Sequence, residues 1–308
     1  MAKTKSKKKV TGGGIALVLI IAAGLVAAHF LDIFTLDDWK SLLGISGSSE
    51  AEKTVEVHFI DVGQGDCELV ISDGEALLID TGEKENAQAV CEYIRAQGID
   101  TIKYMLLTHQ HSDHMGGASE IINSMEVENI IIPKLPEDMT PTTKFYENFL
   151  LSVQDKGLKL TPAEPGTVYQ IGECSLEIVA PVDIYDDLNN FSAASILTHG
   201  EETFFFGGDI EKKAEKDIIE SGRMKDIDVL KVAHHGSSTS SCKDFLKEAD
   251  PDYAVICCGD KNSYNHPNAD TVERLRKYTD NIYRTDIDGT VVFTSSGDEL
   301  SVYTEKGE

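Results

Sequence analysis

The sequence predicts an α/β protein in which two β-sheets pack face to face between outer helices. This is a four-layer αββα sandwich, preceded by a transmembrane helix. Three observations carry the prediction. Runs that read as buried strands alternate with runs that read as helices through two halves of the chain, which calls for sheets covered by helices. Histidines and aspartates recur at the carboxyl ends of those strands in both halves. An uncharged apolar stretch, Gly14 to Leu31, follows a lysine-rich start.

The 308 residues, 41% of them hydrophobic, suffice for a sizeable core. Residues 1–13 read as a basic cytoplasmic tail, with five lysines and no acid among the first nine. Residues 14–31, rising about 1.5 Å each, nearly match a hydrocarbon core of about 30 Å, so they read as a membrane anchor. The lysines before the anchor hold the amino terminus inside the cell and place the rest of the chain outside it, in a single-pass arrangement. A cleaved secretory signal is the alternative, because Val26-Ala27-Ala28 meets the small-residue rule for cleavage. Either way the domain is exported. Residues 32–53 read as a linker ending in the flexible Ser46-Gly47-Ser48-Ser49-Glu50, and residues 54–308 as the folded domain.

Within that domain, Val55 to Asp61, Cys67 to Ile71 and Ala76 to Ile79 alternate or run apolar as strands, the last ending in Asp80-Thr81-Gly82. Glu85 to Gln97 reads as a helix. Tyr104 to Leu107 is a short buried strand, and Gly116-Gly117 opens the next helix, so Thr108 to Met115 forms the turn between them. Further strands are expected at Asn129 to Ile132 and Leu176 to Val179, with a helix from Thr142 to Lys156. Ala193 to Thr198 and Thr203 to Phe206 should form a hairpin whose turn exposes His199. Phe206-Gly207-Gly208-Asp209 repeats the pattern of a buried strand ending in a carboxylate before a helix, here Glu211 to Ser221. Asp228 to Ala233 is a strand delivering His234-His235-Gly236, and Ala269 to Tyr278 is a helix. His58, alternating with apolar neighbours, reads as a sheet histidine.

The turn His109-Gln110-His111-Ser112-Asp113-His114 concentrates imidazole and carboxylate within six residues. On extended backbone His109 and His111 point the same way, and Asp113 and His114 diverge to a neighbouring direction, so the cluster can serve two adjacent metal ions. These ligand types suit zinc, manganese or iron. Asp209, ending a strand in the other half, is the candidate carboxylate for bridging two ions, and at least one of His234 and His235 should be a ligand, His235 first because it immediately precedes the glycine.

The net charge of −25 excludes an extended basic nucleic-acid surface and docking on an anionic membrane face. Short contacts stay open, because a metal pair supplies local positive charge. The six cysteines form no C-x-x-C pair, which excludes a structural zinc knuckle. Cys67 and Cys91 read as buried apolar residues, while the adjacent Cys257 and Cys258 stay undecided.

The H-x-H-x-D-H cluster resembles that of the metallo-β-lactamase superfamily. Within it the chain is similar to the extracellular hydrolase domain of the ComEC-like competence proteins, from about residue 54 onward. The motifs that carry this are F-I-D-V-G-Q-G-D at Phe59 to Asp66, D-T-G at Asp80 to Gly82, G-G-D at Gly207 to Asp209, L-K-V-A-H-H-G-S at Leu230 to Ser237 and N-S-Y-N-H-P at Asn262 to Pro267. Only one apolar span accompanies them, so a multi-helix membrane channel is not part of the likeness. The resemblance implies two divalent metal ions, zinc or manganese. It gives His109 and His111 to the first, Asp113, His114 and His235 to the second, and Asp209 to both. Asp80, Asp66, His234 and Asn190 are then supporting residues, and Asp113 and His266 the catalytic ones. One departure concerns the histidine that most of the superfamily places between the cluster and the bridging aspartate. Here the chain reads Asn189-Asn190-Phe191-Ser192, which implies a first metal held by fewer ligands, or by an asparagine or water.

The function expected is metal-dependent hydrolysis of a phosphodiester, with DNA as the substrate the resemblance suggests. A phosphocholine or teichoic acid ester of the cell wall is the alternative the acidity favours. A surface module with a metal site but no turnover is the reading from another class.

Overall fold

Side-chain alternation along the strands decides which layer each residue joins. The computed structural model describes residues 54–307, so the basic tail, the anchor or signal and the linker lie outside the described residues. Among the described residues no helix is long and apolar enough to cross a membrane.

The chain begins with an antiparallel meander, β1 (Val55–Phe59), β2 (Glu68–Ser72) and β3 (Glu75–Ile79). Then come α1 (Ala87–Ala96), β4 (Thr101–Leu106), the short α2 (Ser112–Met115), α3 (Ala118–Ser124), β5 (Glu126–Ile132), α4 (Lys144–Asp155) and β6 (Leu160–Pro162). Strands β3 to β6 pair in parallel, as strands joined through helices must. A second meander, β7 (Val168–Ile171), β8 (Cys174–Ile178), β9 (Ser195–His199) and β10 (Glu202–Phe206), opens the other sheet. It continues in parallel through α5 (Lys212–Glu220), β11 (Val229–Lys231), α6 (Lys243–Ala249), β12 (Tyr253–Ile256), α7 (Ala269–Leu275) and β13 (Asn281–Arg284). After α8 (Thr285–Asp288), β14 (Val291–Ser295) and β15 (Leu300–Thr304) cross back to pair beside β1. The first sheet runs β15-β14-β1-β2-β3-β4-β5-β6 and the second β13-β12-β11-β10-β9-β8-β7.

Period two then sorts the core. Leu77 and Ile79 of β3 face the second sheet, where they meet Phe204 and Phe206 of β10. Ala76 and Leu78 face the other way, against Val90 and Ile94 of α1 and Ile121 of α3. On the second sheet Phe205, Leu230 and Ile256 pack against Ile218 of α5 and Phe245 of α6. Each fully buried phenylalanine or leucine contributes about 1.5–3 kcal/mol relative to exposure, and both faces of both sheets are covered. The layering is therefore helices, sheet, sheet, helices.

Two local expectations change. The β9–β10 turn is shorter than the sequence suggests. His199 lies within β9, opposite Glu202, and its Nδ1 is 2.8 Å from the Ser295 hydroxyl. It is buried rather than exposed, because the hairpin tip rests on the chain just beyond β14, where Glu201 N–H donates to the Gly297 carbonyl. The helix expected from Glu85 begins as a 3₁₀ turn at Lys84–Asn86 and becomes α-helical only at Ala87. His58 is buried in the sheet with Nδ1 2.8 Å from the Tyr93 hydroxyl. All six cysteines are free, Cys67, Cys91, Cys257 and Cys258 among the buried ones.

Candidate metal centre

Strands β3, β4, β10 and β11 all end at one edge of the sandwich, and their last residues turn towards each other there. Beyond β4 the chain bends at His109 and Gln110, is extended again at His111 and then enters α2, so that the His109 and His111 rings meet with centroids 4.6 Å apart while Asp113 and His114 lie on the helix. Asp80, His234 and His235 each have left-handed backbone, with φ between 52° and 54°. Such conformations cost a non-glycine residue roughly 1–3 kcal/mol, and they persist where surrounding structure over-determines them. Gly208, also at φ 52°, leaves no room for a side chain against Thr108 and Ser192, so β10 can bring Asp209 directly beneath the histidine turn.

The donor atoms fall into two sets that share Asp209. His109 Nε2 is 2.9 Å from His111 Nδ1 and 3.8 Å from Asp209 Oδ2. His114 Nε2 is 3.2 Å from Asp209 Oδ1. His235 Nε2 is 3.6 Å from the same oxygen and 3.4 Å from Asp113 Oδ2. Donors bound at about 2.0–2.2 Å around a tetrahedral ion stand roughly 3.3 Å apart, so these spacings fit a divalent cation in each set. His114 Nε2, His235 Nε2 and Asp209 Oδ1 are buried without any hydrogen-bond partner. An orphaned buried polar atom costs about 1–3 kcal/mol, and three of them aimed at one spot are what a cation would satisfy.

The groups behind the ligands fix their tautomers. Asp80 accepts the Thr108 backbone N–H at 2.7 Å and its hydroxyl at 2.5 Å, and it lies 2.8 Å from His114 Nδ1. That bond puts the proton of a neutral His114 on Nδ1 and leaves Nε2 as a lone-pair donor. His235 Nδ1 donates to the Cys257 carbonyl at 2.9 Å, with the same effect. Ser192 Oγ accepts the Asp209 backbone N–H at 3.0 Å and stands 3.3 Å from His109 Nδ1. Asp80→Asn would turn one acceptor into a donor facing His114. It is expected to weaken metal binding roughly 10–100-fold, read from competition with a chelator of known affinity. Unchanged affinity would remove Asp80 from this role.

Without metal, protons take the place of cations. Burial disfavours a charge on His114, yet Asp209, Asp80 and Asp66 hold its pKa well above the ordinary value. Burial likewise opposes charge on His235, but Asp209 and Asp66 push it up to about 10. Asp209, whose burial alone would raise it, is held well below the usual carboxylate range by His114 and His235. His109 goes the other way, driven down by burial and by His114.

The sign of the pH dependence follows. The raised histidines stabilise the fold fully below about 6.5, and that contribution is lost as pH rises through their folded-state values; the depressed Asp209 contributes above about 4 and loses it as pH falls. Metal ligands must be deprotonated, so metal affinity instead grows with pH. The chelated protein is therefore expected to melt at progressively lower temperature from about pH 7 to about pH 10, while the metal-loaded protein does not. Parallel declines in both forms would show that these histidines hold no metal.

The remaining residues singled out in the sequence divide. Asp66 is buried, with Oδ1 3.2 Å from His235 Nδ1 and Oδ2 3.8 Å from His114 Nδ1. His234 lies at the rim, 3.8 Å from Asp209 and 3.3 Å from Glu211. Asn190 does not face the ligands. Its Oδ1 accepts the N–H groups of Glu211 and Ala214 at the start of α5, and its Nδ2 donates to Asp187. Both ends of the amide are thus spent on holding α5. Asn189 is the asparagine that lines the central cavity, with a buried Oδ1 that has no partner. His266 lines that cavity too, its Nδ1 also unpartnered. Burial, then His234 and His235, lower its pKa.

Two contributors escaped the sequence reading. Ser192 is one. Lys231 is the other: it is buried, with Nζ 2.6 Å from Asp66 Oδ2. The signal was a charged residue inside the apolar run Val229-Leu230-Lys231-Val232. Asp66 is held down at about 2, where Lys231 is the strongest of the charges that overcome its burial. The ligands open onto a cavity of about 430 Å³ whose walls include Gln64, Phe145, Leu188 and Tyr264.

A two-sheet αββα sandwich with a histidine–carboxylate cluster at the strand ends defines the metallohydrolase class of α/β proteins. The description "Metallo-beta-lactamase superfamily" fits residues 60–260, and the chain belongs to that superfamily, whose members are generally metal-dependent hydrolases. The chain is 29% identical over 262 residues to ComE operon protein 3 of Bacillus subtilis, covering 77% of this chain and 33% of that protein. It is 29% identical over 259 residues to Recombination protein 2 of Haemophilus influenzae, covering 82% and 30% respectively. It thus spans about a third of the length of these relatives. In fold it is similar to the metallo-beta-lactamase fold protein YhfI from Bacillus subtilis, with a TM-score of 0.50, 13% identity and coverage of 75% of this chain and 95% of that one.

Proposed function

We propose that the chain is a metal-dependent phosphodiesterase that cleaves nucleic acid, DNA in the first instance, outside the cell membrane. The observation that carries this is the pair of donor sets sharing Asp209, with the orphaned atoms of His114, His235 and Asp209 directed at one point. His109, His111 and Asp209 would hold one divalent cation, and Asp113, His114 and His235 the other. Such a pair supplies Lewis acidity, making water acidic enough to attack at neutral pH and neutralising phosphoryl charge.

The chain's own groups do the positioning. Asp113 is the most exposed of the carboxylates in the two donor sets and accepts a hydrogen bond from attacking water. His266, kept neutral near pH 7 by its lowered pKa, offers an N–H to a phosphoryl or leaving oxygen and acts as a hydrogen-bond donor rather than a store of protons. The relative named for recombination supports DNA as substrate. The lysine-first apolar segment supports an anchored, exported domain, with secretion after cleavage as the alternative.

The test is metal analysis of the purified full chain, then assay with zinc or manganese against single-stranded DNA, duplex DNA and bis-p-nitrophenyl phosphate. Turnover that disappears in His111→Ala, with the fold retained, is the expected result. Metal uptake without cleavage of any phosphodiester would make the protein a binding module. The second reading, a phosphocholine or teichoic acid esterase, is favoured by the net charge of −25. It would be recognised by preferential hydrolysis of p-nitrophenyl phosphorylcholine.

A further inference from the structure

Resting on the phosphodiesterase reading, we infer that Tyr264 is a stacking platform for one unpaired base, so that the site takes a single-stranded end or loop in preference to a duplex. Three near-parallel rings lead outward from the metal centre. His235 and His266 have centroids 6.3 Å apart with planes at 30°, and His266 and Tyr264 are 5.8 Å apart with planes at 23°. The outermost ring, Tyr264, is 64% exposed and lines the cavity rim. One of its faces is stacked on His266 while most of the ring stays exposed, so a planar group is the natural extension of the series.

Charge narrows what that planar group belongs to. Among the described residues no lysine or arginine lines the cavity. A long duplex is gripped through many phosphates by a cationic track, and this cavity provides none apart from the cations its donor sets would hold. A strand held at one phosphate by the metal centre needs a second, uncharged point of attachment, and base stacking on an aromatic ring is the sequence-tolerant one. A paired base already has its faces covered by its neighbours and must be unstacked at a cost of a few kcal/mol before it can use the ring; an unpaired base need not. A choline headgroup would need an aromatic cage closed by carboxylates. The carboxylates lining this cavity, Asp113 and Asp209, belong to the metal-ligand sets, and a single exposed ring is no cage.

The test uses the full chain with manganese and a short single strand that carries 2-aminopurine and cleavage-resistant phosphorothioate linkages. Stacking is expected to quench the probe, Tyr264→Ala to weaken its binding roughly tenfold, and Tyr264→Phe to restore it, since only the ring is required. The same sequence as a duplex should bind more weakly than the strand. Equal binding of the strand by Tyr264→Ala and the unchanged chain would overturn the inference, as would equal binding of strand and duplex. A larger loss for phosphorylcholine than for the strand would assign the ring to a cationic headgroup instead. Turnover of bis-p-nitrophenyl phosphate is followed in parallel: if it is absent the phosphodiesterase reading fails, whereas the fluorescence result still decides the role of Tyr264.

Discussion

Changing Asp209 to asparagine is expected to remove at least one of the two metal ions and to lower phosphodiester turnover by roughly 10³-fold, as several kcal/mol of charge stabilisation at about 1.4 kcal/mol per factor of ten requires. Its Oδ1 faces His114 and His235, and its Oδ2 faces His109 and His234. An amide keeps one neutral acceptor and presents hydrogens to imidazoles on the other side. The same change removes the carboxylate that leads in raising His114 and His235, so the chelated variant should lose much of the alkaline fall in melting temperature described above. Elemental analysis and steady-state kinetics read the first effect and calorimetry the second. A variant that retains two full equivalents of metal and normal turnover would take Asp209 out of the centre.

The second large effect belongs to Lys231. Period two places it on the face of β11 that looks between the sheets, alongside Val229, where its Nζ is held by the Asp66 carboxylate and the Val232 carbonyl, with Cys257 and Glu68 nearby. Lys231→Met would leave Asp66 as a buried carboxylate without its cation, next to Glu68, whose pKa burial and Asp66 already push well up. Breaking one side of a buried pair costs about 3–5 kcal/mol. For a domain of this size that corresponds to a fall in melting temperature of roughly 10 °C. Because Asp66 lies beside His235, metal affinity should fall as well. The double variant Lys231→Met with Asp66→Asn should recover part of the stability, since no charge is then stranded. A single variant that melts within about a degree of the parent would mean that water reaches the pair, and the cycle would show no coupling.

The histidine turn was legible because its information is local. His109, His111, Asp113 and His114 lie within six residues, and the strand before them and the glycines after them fix their backbone. Asp209 was legible for a related reason, as a carboxylate closing a buried apolar run before a helix, whereas only the family resemblance set Asp80 behind the ligands. The layer order followed from strands alternating with helices. The return of β14 and β15 to the first sheet did not, because β1, the strand with which β14 pairs, lies more than two hundred residues earlier in the chain. Asn190 was misassigned as a support facing the metal because adjacent residues in a turn point in different directions, and only the packed α5 shows which amide is consumed by its N–H groups. His199 was misplaced by one turn residue, enough to move it from solvent to a bond with Ser295.

The ligand types, the strand ends that carry them and the sandwich that covers the sheets are written in the order of residues, because these depend on spacing and on period-two or helical alternation within short windows. It took the folded molecule to bring both halves onto Asp209, to set Lys231 against Asp66 beneath His235 and to leave Tyr264 exposed at the rim, stacked on His266. Those are distances between segments far apart in the chain, fixed by how the sheets stack and where each strand ends.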